Sequence, residues 1–139
     1  MHILLVENNR AEIALAEEAF SEAAPNVNLQ VVQDGEQAIS YVRAQDEYAG
    51  SPRPDLILLD LNLPKVDGFA VLEVLKQEQS TRDIPIVALT TSKSNQDILR
   101  AYRCQVNSYI VKPRGYDSYL NFVNTIESYW FSTVELPTH

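Results

Sequence analysis

Four large aliphatics, Leu56-Ile57-Leu58-Leu59, run directly into an acid, Asp60. Pro54-Asp55 precedes the run and Leu61-Asn62-Leu63-Pro64 follows Asp60. An unbroken apolar run of this length reads as a β-strand buried on both faces. Such a strand needs a covering layer on each side, which points to a layered α/β fold. Its terminal carboxylate leaves the sheet at the rim, where open α/β sheets build their sites. The amino terminus repeats the pattern, with His2-Ile3-Leu4-Leu5-Val6 followed by Glu7-Asn8-Asn9. Two buried strands that both end in acid imply a small acidic pocket.

The rest of the chain alternates between the two periods. The first strand spans 2–6, and Asn8 or Asn9 caps a helix over about 10–23. Ile13, Ala16, Ala19 and Phe20 recur there at helical spacing, while Glu12, Glu17, Glu18 and Glu22 fall largely elsewhere. Residues 28–33 alternate and read as an edge strand. A helix over about 36–47 turns Ala38, Ile39 and Val42 inward, and Gly50 to Pro54 is a loop longer than a compact connection needs. Residues 56–60 form the third strand. A third helix runs to about 78, with Phe69, Leu72 and Leu75 on one face. Strand four covers 84–89, with Pro85 tolerated near its start. A helix over about 94–104, a strand over 106–111, a helix over about 117–131 and a tail at 132–139 complete the chain. Helical connections between strands imply parallel pairing and right-handed crossovers. Length suits a single domain, residues 1–139, with one core.

Composition narrows the function. A formal net charge of -8, with no basic cluster, argues against nucleic-acid binding. No apolar run reaches the ~20 residues of a membrane span, and the opening run is too short for a secretory signal. The one cysteine, Cys104, cannot form an intrachain disulfide, which fits a cytoplasmic location. It reads as a small buried residue in the fourth helix.

In a parallel sheet the ends of strands one, three, four and five lie on one edge. They bring Glu7, Asp60, Thr90 and Lys112 there. If the strand order is 2-1-3-4-5, Glu7 and Asp60 share one crevice. Two carboxylates and an amide form a hard oxygen site suited to Mg²⁺. Asp60 is a nucleophile toward phosphorus, and Thr90 and Lys112 offer a hydroxyl and a point charge to a phosphoryl group. Singly, each residue has an ordinary reading as a helix cap or surface group; together their placement is hard to obtain by chance.

These stretches, with Asp67-Gly68, Ile84-Pro85-Ile86-Val87-Ala88-Leu89-Thr90 and Tyr109-Ile110-Val111-Lys112-Pro113, are those by which the chain resembles the receiver domain of two-component response regulators. The resemblance, to the CheY-like family, covers essentially the whole length. It implies a flavodoxin-like (βα)5 fold with a doubly wound, five-stranded parallel sheet of order 2-1-3-4-5. It implies that Asp60 takes a phosphoryl group from a histidine kinase. Mg²⁺ is then held by Asp60, by Glu7 through water, by Asn8, and by the backbone carbonyl of Asn62. Thr90 and Lys112 hold phosphoryl oxygens, Tyr109 is the aromatic switch, and Lys112-Pro113 is a cis peptide. The loop from Tyr48 to Pro54, Asn62-Leu63-Pro64-Lys65, Thr90-Thr91-Ser92 and the ending from Ile126 to Pro137 look like single-domain regulators of phytochrome kinases. No output domain is then expected, and the signal leaves through protein contacts.

Asn8 departs from the family pattern, which has a second acid there, and predicts weaker Mg²⁺ binding and slower phosphorylation. An alternative is a receiver-like binding module that works without phosphorylation. A phosphatase with an aspartyl-phosphate intermediate is a third reading, but it needs a general acid where Asn62 stands. The favoured reading is not an enzyme with an external substrate. The last helix, rich in Phe122, Val123, Ile126, Tyr129, Trp130 and Phe131, suggests a homodimer, and the resemblance implies that it forms through the fourth helix, fifth strand and fifth helix.

Overall fold

The computed structural model describes residues 1–138. Five parallel strands, β1 (His2–Val6), β2 (Asn28–Val32), β3 (Leu56–Leu59), β4 (Ile86–Thr90) and β5 (Ser108–Val111), form one sheet. Their order is β2-β1-β3-β4-β5, as the resemblance implies. Helices α1 (Arg10–Ala23), α2 (Gly35–Val42), α3 (Gly68–Gln77), α4 (Asn95–Arg103) and α5 (Tyr116–Ile126) connect the strands or close the chain.

The alternation along each strand sorts the core into two layers. Leu4, Val6, Ile57, Leu59, Ile86 and Ala88 face α2, α3 and α4. Ile3, Leu5, Leu56, Leu58, Val87 and Leu89 face α1 and α5. β1, β3 and β4 are therefore apolar at nearly every position, because both faces are covered. Each large aliphatic buried here contributes about 1.5–3 kcal/mol relative to exposure. β2 is the partly exposed edge, and β5, half-buried throughout, is the other.

Local chemistry places the helix starts. Asn9, Asp34, Asp67 and Ser94 cap α1, α2, α3 and α4, each accepting a backbone N–H two or three residues into its helix. Asn9, not Asn8, is the cap of α1.

Several expectations shift. In α2 the buried side chains are Ala38, as expected, and Tyr41, while Ile39 and Val42 are half-buried against the core. α2 also ends earlier, at Val42, and a 3-10 turn (Asp46–Tyr48) follows. Tyr48 packs edge-on against Tyr41, with ring centroids 5.3 Å apart, so the long loop is anchored to its own domain. α5 stops at Ile126 and continues as a π-turn over Glu127–Phe131. Cys104 is the half-buried C-cap of α4, not an interior residue. Every described peptide bond is trans, including Lys112-Pro113. None of the described helices is long and apolar enough to cross a membrane.

Candidate phosphoacceptor site

The carboxyl ends of β1, β3, β4 and β5 converge as the spacing of the motifs predicts. Asp60 is the first residue past β3, and its N–H donates to the Val6 carbonyl at 3.1 Å, extending the ladder into the site. Asp60 is only 6% exposed. Its Oδ1 accepts from the Asn62 N–H at 2.9 Å, and its Oδ2 accepts from Lys112 Nζ at 3.0 Å.

Glu7 is the first residue past β1 and is 4% exposed. Its N–H donates to the Val32 carbonyl at 3.0 Å. Its Oε2 accepts from the Asn9 N–H at 3.1 Å, and its Oε1 lies 2.6 Å from Lys112 Nζ. Lys112, one residue past β5, donates its backbone N–H to the Thr90 carbonyl at 2.8 Å. Thr90 ends β4 and is buried. Asn8 and Asn62 sit exposed at the pocket mouth.

A buried ammonium held by two buried carboxylates is an arrangement whose desolvation cost largely offsets its Coulombic gain. Its use is geometric: Lys112 keeps two like charges close together. Burial pushes the Glu7 carboxyl above the ordinary carboxylate range. The neighbouring Asp60 adds to this, and Lys112 and the Asn9 N–H oppose it. Burial alone would lower the Lys112 ammonium, but its hydrogen bonds to Glu7 and Asp60 outweigh it and hold the pKa above normal.

This donor set fits a small, hard divalent cation. Two buried carboxylates side by side, with Asp60 adding to the raised proton affinity of Glu7, are the arrangement a dication relieves. Among the described residues, no group of three Asp, Glu, His or Cys side chains is arranged to hold a metal ion. An ion here would complete its shell with water, as Mg²⁺ commonly does.

Two positions matter more than the sequence suggested. Glu12, in the first turn of α1, reaches Lys112 Nζ at 3.5 Å. The helical pattern marked it only as a polar-face acid, although α1 starts at the sheet edge that carries Glu7. Gly68, which the sequence marks only as part of a turn, lies directly on the site. A Cβ there would come within 2.4 Å of both the Asp60 carbonyl oxygen and Leu61 Cα. The Tyr109 hydroxyl, 2.8 Å from the Ser92 carbonyl oxygen, donates to it and ties β5 to the loop after β4.

A five-strand parallel sheet with this acid, acid, hydroxyl and lysine at one edge defines a phosphoacceptor receiver. The chain belongs to the response regulator receiver domain family, whose sequence model matches residues 3–124. It is 43% identical to the response regulator Rcp1 of Synechocystis sp. over 135 residues, 97% of this chain and 92% of Rcp1. The phosphorylated cyanobacterial phytochrome response regulator RcpA superposes with a TM-score of 0.93 at 43% identity, covering 99% of this chain and 98% of RcpA. The Mn²⁺-bound form of Rcp1 gives 0.90 at 42% identity, covering 99% of each chain.

Proposed function

We propose that Asp60 accepts a phosphoryl group from the phosphohistidine of a phytochrome-type histidine kinase. The observation that carries this reading is the buried Asp60 carboxylate, 3.0 Å from Lys112 Nζ at the carboxyl edge of the sheet. A carboxylate oxygen of Asp60 attacks phosphorus. The O–P bond forms as the P–N bond to the kinase imidazole breaks, and the imidazole leaves with the electron pair. The Asn62 N–H holds Oδ1, fixing the angle of attack. Lys112 and the Thr90 hydroxyl take phosphoryl oxygens.

Glu7, Asn8, Asp60 and the Asn62 carbonyl would hold Mg²⁺, which when bound neutralises charge between the carboxylates and the incoming phosphoryl group. Recruitment of Thr90 to the phosphate releases Tyr109 from Ser92 and changes the surface of α4 and β5. Residues 1–139 act as one cytoplasmic receiver domain that signals by protein contacts, as a module without turnover of an external substrate.

A homodimer through α4, β5 and α5 draws its support from exposed apolar side chains. Leu99 and Tyr102 on α4 and Tyr129 after α5 are 43%, 48% and 51% exposed. The other aromatics of the last segment support it less: Phe122 is buried, and Trp130 and Phe131 pack partly against the domain's own core.

Incubation with Mg²⁺ and acetyl phosphate, read by intact mass and Phos-tag gel, tests the acceptor. One labile phosphate on wild type and none on Asp60→Asn is the expected result. An unmodified wild type at high Mg²⁺ would instead favour the phosphorylation-independent module.

A further inference from the structure

Glu12 stands outside the buried acid pair, yet its carboxylate faces the same ammonium as Glu7 and Asp60. Lys112 Nζ lies 2.6 Å from Glu7, 3.0 Å from Asp60 and 3.5 Å from Glu12. The Glu12 side chain is 31% exposed, against 5% for Glu7, so it lines the mouth of the pocket and leaves the floor to the other two. Its position is fixed from behind, since its own N–H donates to the capping Asn9 Oδ1 at 3.1 Å.

Three carboxylates and one ammonium leave the pocket with a net charge of minus two, equal and opposite to that of a divalent cation. The remaining pocket-mouth side chains, Asn8 and Asn62, are neutral amides. Glu12 is therefore the only side chain of the set outside Glu7 and Asp60 that carries negative charge.

We propose that Glu12 is the third acid of the site, holding the divalent cation through water and anchoring Lys112 when Glu7 and Asp60 turn to the ion. The inference rests on the reading of Glu7 and Asp60 as the metal-binding pair. A direct bond to the ion is not required, in keeping with the absence of a three-acid ligand cluster among the described residues. An acid in the first turn of a helix also favours the helix dipole. That role alone would affect stability and leave cation affinity untouched, so the two roles separate experimentally.

Mn²⁺ titration of the unphosphorylated protein, with free ion counted by electron paramagnetic resonance, is the test. The proteins are wild type, Glu12→Gln, and Glu12→Gln combined with Asn8→Asp. By Coulomb's law in a water-like dielectric, removing one charge roughly 7 Å from a dication weakens binding about 3–10-fold. That loss is expected in Glu12→Gln and should be reversed in the double variant, where the charge returns from position 8. Equal affinity in wild type and Glu12→Gln would overturn the assignment, as would a lowered melting temperature without a change in affinity. A wild type that binds no Mn²⁺ would overturn the metal reading itself and this inference with it.

Discussion

Lys112 Nζ lies closer to Glu7, at 2.6 Å, than to Asp60, at 3.0 Å. In the resting protein the lysine therefore occupies the acid that would hold the metal as well as the proposed nucleophile. On the proposed function, a bound cation would compete with Lys112 for one pair of carboxylates, and an arriving phosphoryl group would draw the lysine away from Glu7.

Lys112→Met separates these roles, because its consequences have opposite signs. Loss of the competing ammonium should tighten divalent-cation binding about tenfold. Loss of a donor to the transferring group should slow phosphorylation by about 10²-fold. Without metal, the stranded carboxylates should lower stability by about 3 kcal/mol, an effect that added Mg²⁺ reverses. Calorimetric titration and acetyl-phosphate kinetics on one preparation read the two functional effects. Weaker metal binding in the variant would show that Lys112 is a support for the cation site and not its competitor.

Gly68→Ala tests whether α3 sets the position of the nucleophile. The new Cβ meets backbone at 2.4 Å on both the Asp60 carbonyl and Leu61 Cα, and backbone cannot yield as a side-chain tip can. The expected cost is about 1–3 kcal/mol of stability, with phosphorylation falling more than the stability loss explains. Chemical denaturation and initial phosphorylation rates at a temperature where the variant is folded check this. An unchanged rate in a destabilised variant would confine Gly68 to packing.

The layers were legible because the sheet is buried on both faces. Runs such as Leu56 to Leu59 have no other stable home, and acids at their ends mark the functional edge. The boundaries of α2 and α5 were less legible for a physical reason. Tyr41 and Ile39 compete for the core side of α2, and the larger ring takes it. Nothing in Glu127-Ser128-Tyr129-Trp130-Phe131 breaks a helix, yet the backbone widens into a π-turn there. The roles of Glu12 and Gly68 leave no pattern in the sequence because they depend on tertiary approach. One is a polar-face acid until α1, packed against α5, brings it to Lys112, and the other is a turn residue until α3 meets the end of β3. Cys104 reads as an interior residue because Ala101, Tyr102 and Val106 lie close to it in sequence. It caps α4 beside Glu73, where burial and that carboxylate push its thiol pKa upward.

Asn8→Asp adds an acid at the exposed pocket mouth next to Glu7. A unit charge near a dication should raise Mg²⁺ affinity about tenfold and speed phosphorylation at limiting Mg²⁺. At saturating Mg²⁺ the gain in rate should largely vanish, because the substitution acts through occupancy. Rate measured against Mg²⁺ concentration separates the cases. An unchanged affinity would mean that position 8 does not face the ion.

Tyr119 makes a prediction at alkaline pH. It is 1% exposed, and burial, with added repulsion from Glu7 and Glu12, holds its hydroxyl far above the ordinary 10.0. Above that ordinary value the unfolded chain releases this proton while the folded chain keeps it. The unfolded state then binds fewer protons, so stability falls as pH rises, by about 1.4 kcal/mol per unit for one such group. Tyr119→Phe removes the titrating group and keeps the ring that packs edge-on against Phe122 at 5.3 Å. Urea midpoints should differ by a constant offset from about pH 7 to 9. The variant should then gain on wild type as pH rises through 10 toward 11. A constant offset through pH 11 would mean that Tyr119 ionises as readily in the folded protein as in the unfolded chain, and that burial does not hold its proton.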